Sequence, residues 1–392
     1  MLALIAVAMV ASMGPWFAAS ASSAAIEREF GLSVTEGAWL TMMVQFGFVA
    51  GTLIIAATGA ADVIRAPVLM SAGGLVAATA TAALAFTGTP ALLLILRFAA
   101  GAGMACVYPP GMKLAASWFR VRRGTALGVI VGSLAIGKAV PYLLAALTSE
   151  WRVQVLILSG GTVAGMVLIA GFAREGPFAG AAARLDPRAI AGVIRQRETR
   201  LATLAYLGHM WELYAVWTWF GAFAAAGFLA AGHGAPAQAG SIAGFITIAA
   251  GAAGAIVAGH WADRYGRVRV AAASLVVSGA CCLTAGLFFG APPWVIYLLA
   301  AVWGFSVVSD SAQFSALVTE HSPRAHVGTA LTLQTSAGFL LTTIPMRWLP
   351  SLATDWGWQW VFVILLPGPM LGLAALARLR TSNPECRTSN VL

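Results

Sequence analysis

Gly259-His260-Trp261-Ala262-Asp263-Arg264-Tyr265-Gly266-Arg267-Val268-Arg269 gathers one carboxylate and four basic or imidazole side chains into a short polar stretch. On either side the chain is apolar over a long distance, across residues 239–260 and 269–289. At about 1.5 Å per residue, each flanking stretch is long enough as a helix to cross the roughly 30 Å hydrocarbon core of a bilayer. Working outward, Gly, Pro and charge clusters cut the remaining chain into similar pieces at 2–25, 38–59, 67–87, 91–116, 125–147, 153–172, 201–227, 294–317, 327–349 and 357–377, which makes twelve spans. Helices can cross hydrocarbon because their backbone hydrogen bonds close internally. A β-barrel is disfavoured, since these stretches run well past ~10 residues and do not alternate.

Composition gives the same class. Of 392 residues, 60% are hydrophobic and only 9% charged, where a soluble domain carries about 25% charged residues. Such a chain cannot cover a water-exposed surface, so a soluble enzyme, a nucleic-acid binder and a disordered scaffold are excluded as whole-chain readings. The net charge of +9 then reports membrane topology. Seventeen basic residues fall in the termini and in connections on one side, and only Arg28 and Arg152 on the other. By the positive-inside bias both termini are expected in the cytoplasm. Residues 1–23 lack a basic leader and are read as the first span, not a cleaved signal. Cys106, Cys281, Cys282 and Cys386 imply neither a disulfide framework nor a metal site.

The chain also repeats itself weakly. Trp16, Asp62 and Gly103 have like residues at a common offset in Trp217, Asp263 and Gly304. Gly124-Thr125-Ala126-Leu127 returns as Gly328-Thr329-Ala330-Leu331, each followed at the same distance by a proline, Pro141 and Pro345. Two parallel six-helix halves are therefore expected, with a first bundle at 1–173, a polar, mixed-charge linker at 174–200, a second bundle at 201–380 and a tail at 381–392.

The Gly259–Arg269 turn resembles the loop signature of the Major Facilitator Superfamily, carried there between the second and third helices of a half. It lies here between spans eight and nine, the equivalent place in the second half; Gly59, Asp62 and Arg65 are a worn first-half copy. Arg97-Phe98-Ala99-Ala100-Gly101-Ala102-Gly103 resembles the family's fourth-helix signature, and Arg120 to Gly124 its basic turn before the fifth helix. The resemblance covers the whole chain in span number and loop placement. It implies an all-α membrane protein with twelve transmembrane helices in two pseudo-symmetric bundles, acting as a secondary transporter whose bundles rock about a central site. It further implies that Asp62, Arg65, Asp263, Arg264 and Arg267 serve as gates at the helix ends. The family's glycine-rich fifth-helix signature, frequent in proton-exchanging exporters, is broken here by Lys138 and Val140. The arginines that its nitrate porters place in the second and eighth helices are missing from both.

Ionisable groups inside spans are rare because their burial is costly, so they mark function or pairing. Lys138 lies midway along span five, in a chain with only two lysines. It is either an anion-binding or gating charge or the partner of a carboxylate from another span. Glu212 and His209 are three residues apart on span seven and so share a face; a carboxylic acid beside an imidazole suits a coupling proton, or an interhelical hydrogen bond. Asp310 in span ten offers a proton relay or a gate. Arg97 matches a family arginine that often faces the cavity and influences proton transfer, which makes it a candidate solute contact, or else a structural pair. Lys113 and Arg347 lie close enough to span ends to snorkel. Gln45, Gln334 and Tyr214 are candidate solute contacts.

No glycine and lysine run of the nucleotide-binding type is present, so an ion gradient is expected to drive transport, with neither enzyme activity nor cofactor. Cations in the first half and acids in the second favour a small organic or inorganic anion carried in symport with protons. The alternative is a proton-coupled exporter of drugs or amphipathic metabolites, supported by the aromatic span seven. The expected setting is a bacterial inner membrane, with a monomer as the working unit and with solute, protons and lipid, not nucleic acid, as partners.

Overall fold

The computed structural model describes residues 1–119, 123–178, 190–323 and 326–382, and among these all regular structure is helical. Among the described residues, eleven helices are long and apolar enough to cross a membrane: Val34–Thr58, Ala66–Phe86, Pro90–Ala116, Ala126–Leu147, Trp151–Phe172, Arg197–Ala230, Pro236–Tyr265, Arg267–Phe288, Pro293–His321, Val327–Trp356 and Val361–Arg380. A shorter apolar helix, Leu2–Trp16, precedes them. These are spans two to twelve and span one respectively.

Span one corrects the sequence reading of one continuous helix over 2–25. The α-helix stops at Ser12, a tight 3-10 turn covers Gly14–Trp16, residues 17–22 are turns, and a separate helix begins at Ser23 and ends at Phe30. Pro15 has no N–H to give the carbonyl four residues back, and Gly14 before it is a poor helix former, so the ladder ends here. Span two then starts on a capping box between Ser33 and Glu36, four residues earlier than the hydropathy suggests.

Spans four and ten are also interrupted, at equivalent places. Span four divides into Pro90–Ala105 and Tyr108–Ala116, where Pro109 and Pro110 remove two donors. Span ten divides into Pro293–Ser309 and Ser311–His321 around Asp310. Cys106 and Asp310 stand as far apart in sequence as the two Gly-Thr-Ala-Leu copies, so the internal repeat extends to helix geometry.

Within each half, the second and fourth helices cross backbone against backbone. A Cβ on Gly47 would lie 2.0 Å from the Phe98 carbonyl oxygen, and one on Gly101 2.1 Å from that of Val44. In the second half, Gly304 would meet the Thr247 oxygen at 1.9 Å and Gly254 that of Phe305 at 2.2 Å. Glycine is required for contact this close, which replaces the hydrophobic drive that lipid does not supply. Between spans eight and nine the chain reverses at a single residue, Gly266, with φ +88° and ψ 143°, a conformation open essentially to glycine. That requirement explains the central glycine of the stretch quoted at the outset.

The two halves meet along spans five and eight and along spans two and eleven. A Cβ on Gly132 would lie 3.3 Å from the Ala252 oxygen, Tyr142 lies over Gly244, and the Gln238 side-chain amide donates to the Ala146 carbonyl at 3.1 Å. Phe48 of span two meets Phe339 of span eleven with ring centroids 4.6 Å apart. The candidate site lies between these two seams.

Candidate functional site

Lys138 is the centre. Its ammonium donates to the Tyr214 hydroxyl at 2.8 Å, and its Nζ lies 4.0 Å from the ring centroid of Trp16, 5.2 Å from that of Tyr214, 5.4 Å from Trp217 and 5.9 Å from Tyr108. The side chain is 5% exposed. Among the described residues no carboxylate forms an ion pair with it. Aromatic faces therefore take the place of water around this cation, each contact contributing roughly 0.5–2 kcal/mol. Spans one, four and five supply Trp16, Tyr108 and Lys138, and span seven supplies Tyr214 and Trp217, so the cage joins the two halves.

Phe48 and Phe339 close the cage from spans two and eleven. Trp16 stands 4.9 Å from Phe48 and 5.6 Å from Phe339, and Tyr214 stands 5.3 Å from Phe339. One turn nearer the end of span five, on the side away from the N-terminus, Phe17, Tyr142 and Trp217 form a second layer. Phe17 stacks on Tyr214 at 6.0 Å, and the Tyr142 hydroxyl donates to the Trp217 carbonyl at 2.8 Å. All three are at most 4% exposed, so the cage is sealed on that side.

Arg97 supports this assembly from behind. Its Nε donates to the Leu40 carbonyl at 3.0 Å, its Nη1 to that of Pro15 at 2.6 Å and its Nη2 to that of Trp16 at 2.6 Å. The guanidinium thus satisfies carbonyls freed by the break in span one, and it fixes the backbone of the residue whose indole ring faces Lys138. Non-helical backbone at membrane depth persists only with such partners.

Two indole N–H groups of the cage, those of Trp16 and Trp217, are buried with no hydrogen-bond partner among the described residues; Trp303 is a third such case, packed between Phe220 and Phe362. By contrast, the indoles of Trp118, Trp151, Trp211 and Trp219 all donate to an oxygen. Gln45 and Gln334 are buried on spans two and eleven, and both amides lack partners among the described residues.

The titratable groups of the second half form a separate cluster. His209 Nδ1 lies 2.9 Å from an Asp310 carboxylate oxygen, a close contact without good hydrogen-bond alignment, and His209 Nε2 lies 2.9 Å from the Ser311 hydroxyl. Glu212 accepts from the Cys282 thiol at 3.1 Å through Oε2, while Oε1 has no partner among the described residues. His209 and Glu212 do share a region of span seven, but one turns to span ten and the other to span nine. Tyr214, two residues after Glu212, faces the cage instead.

The gate candidates are more dispersed. Arg267 pairs with Glu320 at 2.6 Å and reaches the Gln313 side-chain oxygen at 3.4 Å, both contacts inside the second half. Arg264 lies over the Tyr265 ring at 5.4 Å, and Asp263 and Arg65 are exposed. The Asp62 side chain, Arg120 and Arg122 lie outside the described residues. Lys113 donates to the Ala61 carbonyl at 2.6 Å and Arg347 to the Ser351 hydroxyl at 2.9 Å. On the side away from the N-terminus, the Arg152 guanidinium binds Glu29 through two nitrogens and holds its carboxyl below the usual range.

Sequence reasoning missed Trp16, Phe48, Tyr108 and Phe339 as parts of the site. Trp16 and Trp217 carried a signal as a repeat-related pair, and both now border Lys138. Nothing distinguished the two phenylalanines from packing residues.

A search of the curated proteins finds no match to the sequence. Among solved structures, the chain is similar to the human organic anion transporter MFSD10, with a TM-score of 0.69 and 16% identity over 96% of this chain and 98% of that one. It is similar also to a mutant of the nucleoside transporter NupG, with a TM-score of 0.70 and 14% identity over the same shares. At these identities the likeness speaks for the fold. The family model of the Major Facilitator Superfamily matches residues 4–233 and 212–390. The chain is therefore a member of the Major Facilitator Superfamily, a multi-pass membrane transporter of small solutes and not an enzyme.

Proposed function

We propose that this transporter carries a small organic anion together with protons, binding the anion at Lys138 between the two halves. The observation that carries the reading is a buried lysine at mid-span with aromatic neighbours and no carboxylate among the described residues. A charge held in such a place is costly unless something compensates it, and an anionic solute does so in the bound state. A cationic drug would meet the same ammonium at the same rings, which counts against the exporter reading. The organic anion transporter among the structural neighbours is consistent with this choice.

His209, Asp310 and Glu212 supply the proton sites. Lys138 bonds to Tyr214, and Tyr214 shares span seven with His209 and Glu212. An anion that draws Lys138 away from the Tyr214 hydroxyl therefore acts on the helix that carries the protons, which is the physical form linkage takes here. Gln45 and Gln334 offer further polar contacts to solute, whereas Arg97 acts on it indirectly by fixing Trp16. Asp62, Arg65, Asp263, Arg264 and Arg267 control access at the helix ends. The halves correspond to residues 1–173 and 201–380, joined by a linker at 174–200 and followed by a tail at 381–392. The chain works as a monomer in a bacterial inner membrane with both termini in the cytoplasm, as the seventeen basic residues on one side support.

Anion binding to purified protein tests the reading. Removing one partner of a buried charge pair costs about 2–4 kcal/mol, so Lys138→Met is expected to weaken binding roughly 30- to 700-fold. Unchanged affinity in folded Lys138→Met protein contradicts it.

A further inference from the structure

We infer that the anion is an aryl carboxylate, a flat aromatic ring bearing one carboxylate, bound with its carboxylate at Lys138 and its ring between the aromatic faces of the two halves. This rests on the organic-anion reading and narrows it. Two independent observations carry it, one on the polar atoms of the cage and one on its walls.

Two of the rings that border Lys138 carry N–H donors without protein partners. The indole N–H groups of Trp16 and Trp217 are buried and unpartnered among the described residues, in a protein whose other buried or half-buried indoles mostly find an oxygen. The ammonium lies over the faces of both rings, so the carboxylate is assigned to the ammonium, whose charge its two oxygens match.

The walls select the rest of the molecule. Trp16 and Phe48 belong to the first half, Tyr214 and Phe339 to the second, and their rings meet at centroid distances of 4.6–6.0 Å. When the halves part to admit solute, these flat faces separate and become wet. A flat ring inserted between them restores both the buried area and the ring-to-ring geometry. An aliphatic ring of the same size restores only the area, and a bare oxyanion restores neither. The inferred preference is thus for flatness as well as charge.

Isothermal titration of the purified full chain with benzoate, cyclohexanecarboxylate, acetate and nitrate separates these terms. Benzoate is expected to bind about two- to twelvefold more tightly than cyclohexanecarboxylate, the gain typical of an aromatic pair beyond its area, with acetate and nitrate weaker than both. Phe339→Leu and Phe48→Leu should bring the ratio of the two ring acids toward one, and Lys138→Met should weaken both alike. If either leucine variant fails to fold, the wild-type ratio alone decides. Equal, Lys138-dependent affinity for the two ring acids overturns the aryl preference and leaves the organic-anion reading standing. Tightest binding of nitrate, binding indifferent to Lys138→Met, or no binding of either ring acid overturns both.

Discussion

Arg97→Leu separates two roles that this arginine could have, solute ligand and internal brace. The side chain is fully buried, and its three nitrogens each hold a carbonyl, those of Leu40, Pro15 and Trp16. Leucine leaves the Pro15 and Trp16 oxygens without a donor in a dry interior, at about 1–3 kcal/mol each, whereas the Leu40 oxygen keeps its donor within the span-two helix. Removing the guanidinium also removes its own desolvation penalty, so the net loss should be nearer ~2–4 kcal/mol. Arg97→Lys keeps the charge, but one ammonium cannot span the arc that the planar fork covers, and it should recover only part of the loss. The assay is thermal unfolding of the purified variants in detergent, with benzoate titrated into the folded fraction. Both variants should unfold earlier than wild type, leucine more so, and the folded fraction should still bind benzoate through Lys138. A wild-type unfolding midpoint together with lost benzoate binding would refute the brace and make Arg97 a ligand.

Three further outcomes follow from geometry elsewhere. Gly101→Ala and Gly304→Ala place a methyl group within 2.1 Å of a backbone oxygen, which should cost ~1–3 kcal/mol or more; Gly160→Ala, with nothing within 4 Å, should be neutral or stabilising in the same unfolding assay. Burial pushes the Glu27 carboxyl, on the short helix after span one, from 4.5 up to about 7. The folded protein then holds a proton that the unfolded chain has released, so stability is highest at low pH and falls as pH rises through that window. Glu27→Gln should therefore match wild type near pH 4 and exceed it at pH 8 by an amount on the order of 1 kcal/mol after screening; equal midpoints at both pH values contradict this. Arg267→Ala breaks a half-exposed pair and should cost under ~1 kcal/mol in stability, so an unchanged unfolding midpoint with slowed transport is expected of a gate, and an unchanged rate removes that role.

The span pattern was legible because length and apolarity are summed properties that survive without three-dimensional detail. The break in span one was not, since Met13, Gly14, Pro15 and Trp16 are all apolar and a hydropathy sum does not register one missing N–H. Lys138 and Tyr214 were each identifiable as exceptions to their surroundings. Their hydrogen bond was not, because spacing within a helix says nothing about which helix of the other half it meets. Spacing placed His209 and Glu212 on one face of span seven, yet a face three residues wide touches two neighbours, and the two side chains part to spans ten and nine. Phe48 and Phe339 carried no sequence signal at all, since a phenylalanine in an apolar span reads as packing until its partner across the interface is known.

The central claim is that proton movement through the acids of the second half drives an anion bound at Lys138, and uptake into proteoliposomes tests it most directly. With radiolabelled benzoate outside and an imposed proton gradient directed inward, the wild-type chain should accumulate benzoate above its equilibrium level, beyond the leak measured in protein-free liposomes. Glu212→Gln imitates the protonated acid and should retain benzoate binding and exchange while losing that accumulation. Wild-type accumulation by Glu212→Gln would remove it as the essential proton site, and a wild-type chain that binds benzoate but never concentrates it under the gradient would contradict the coupling itself.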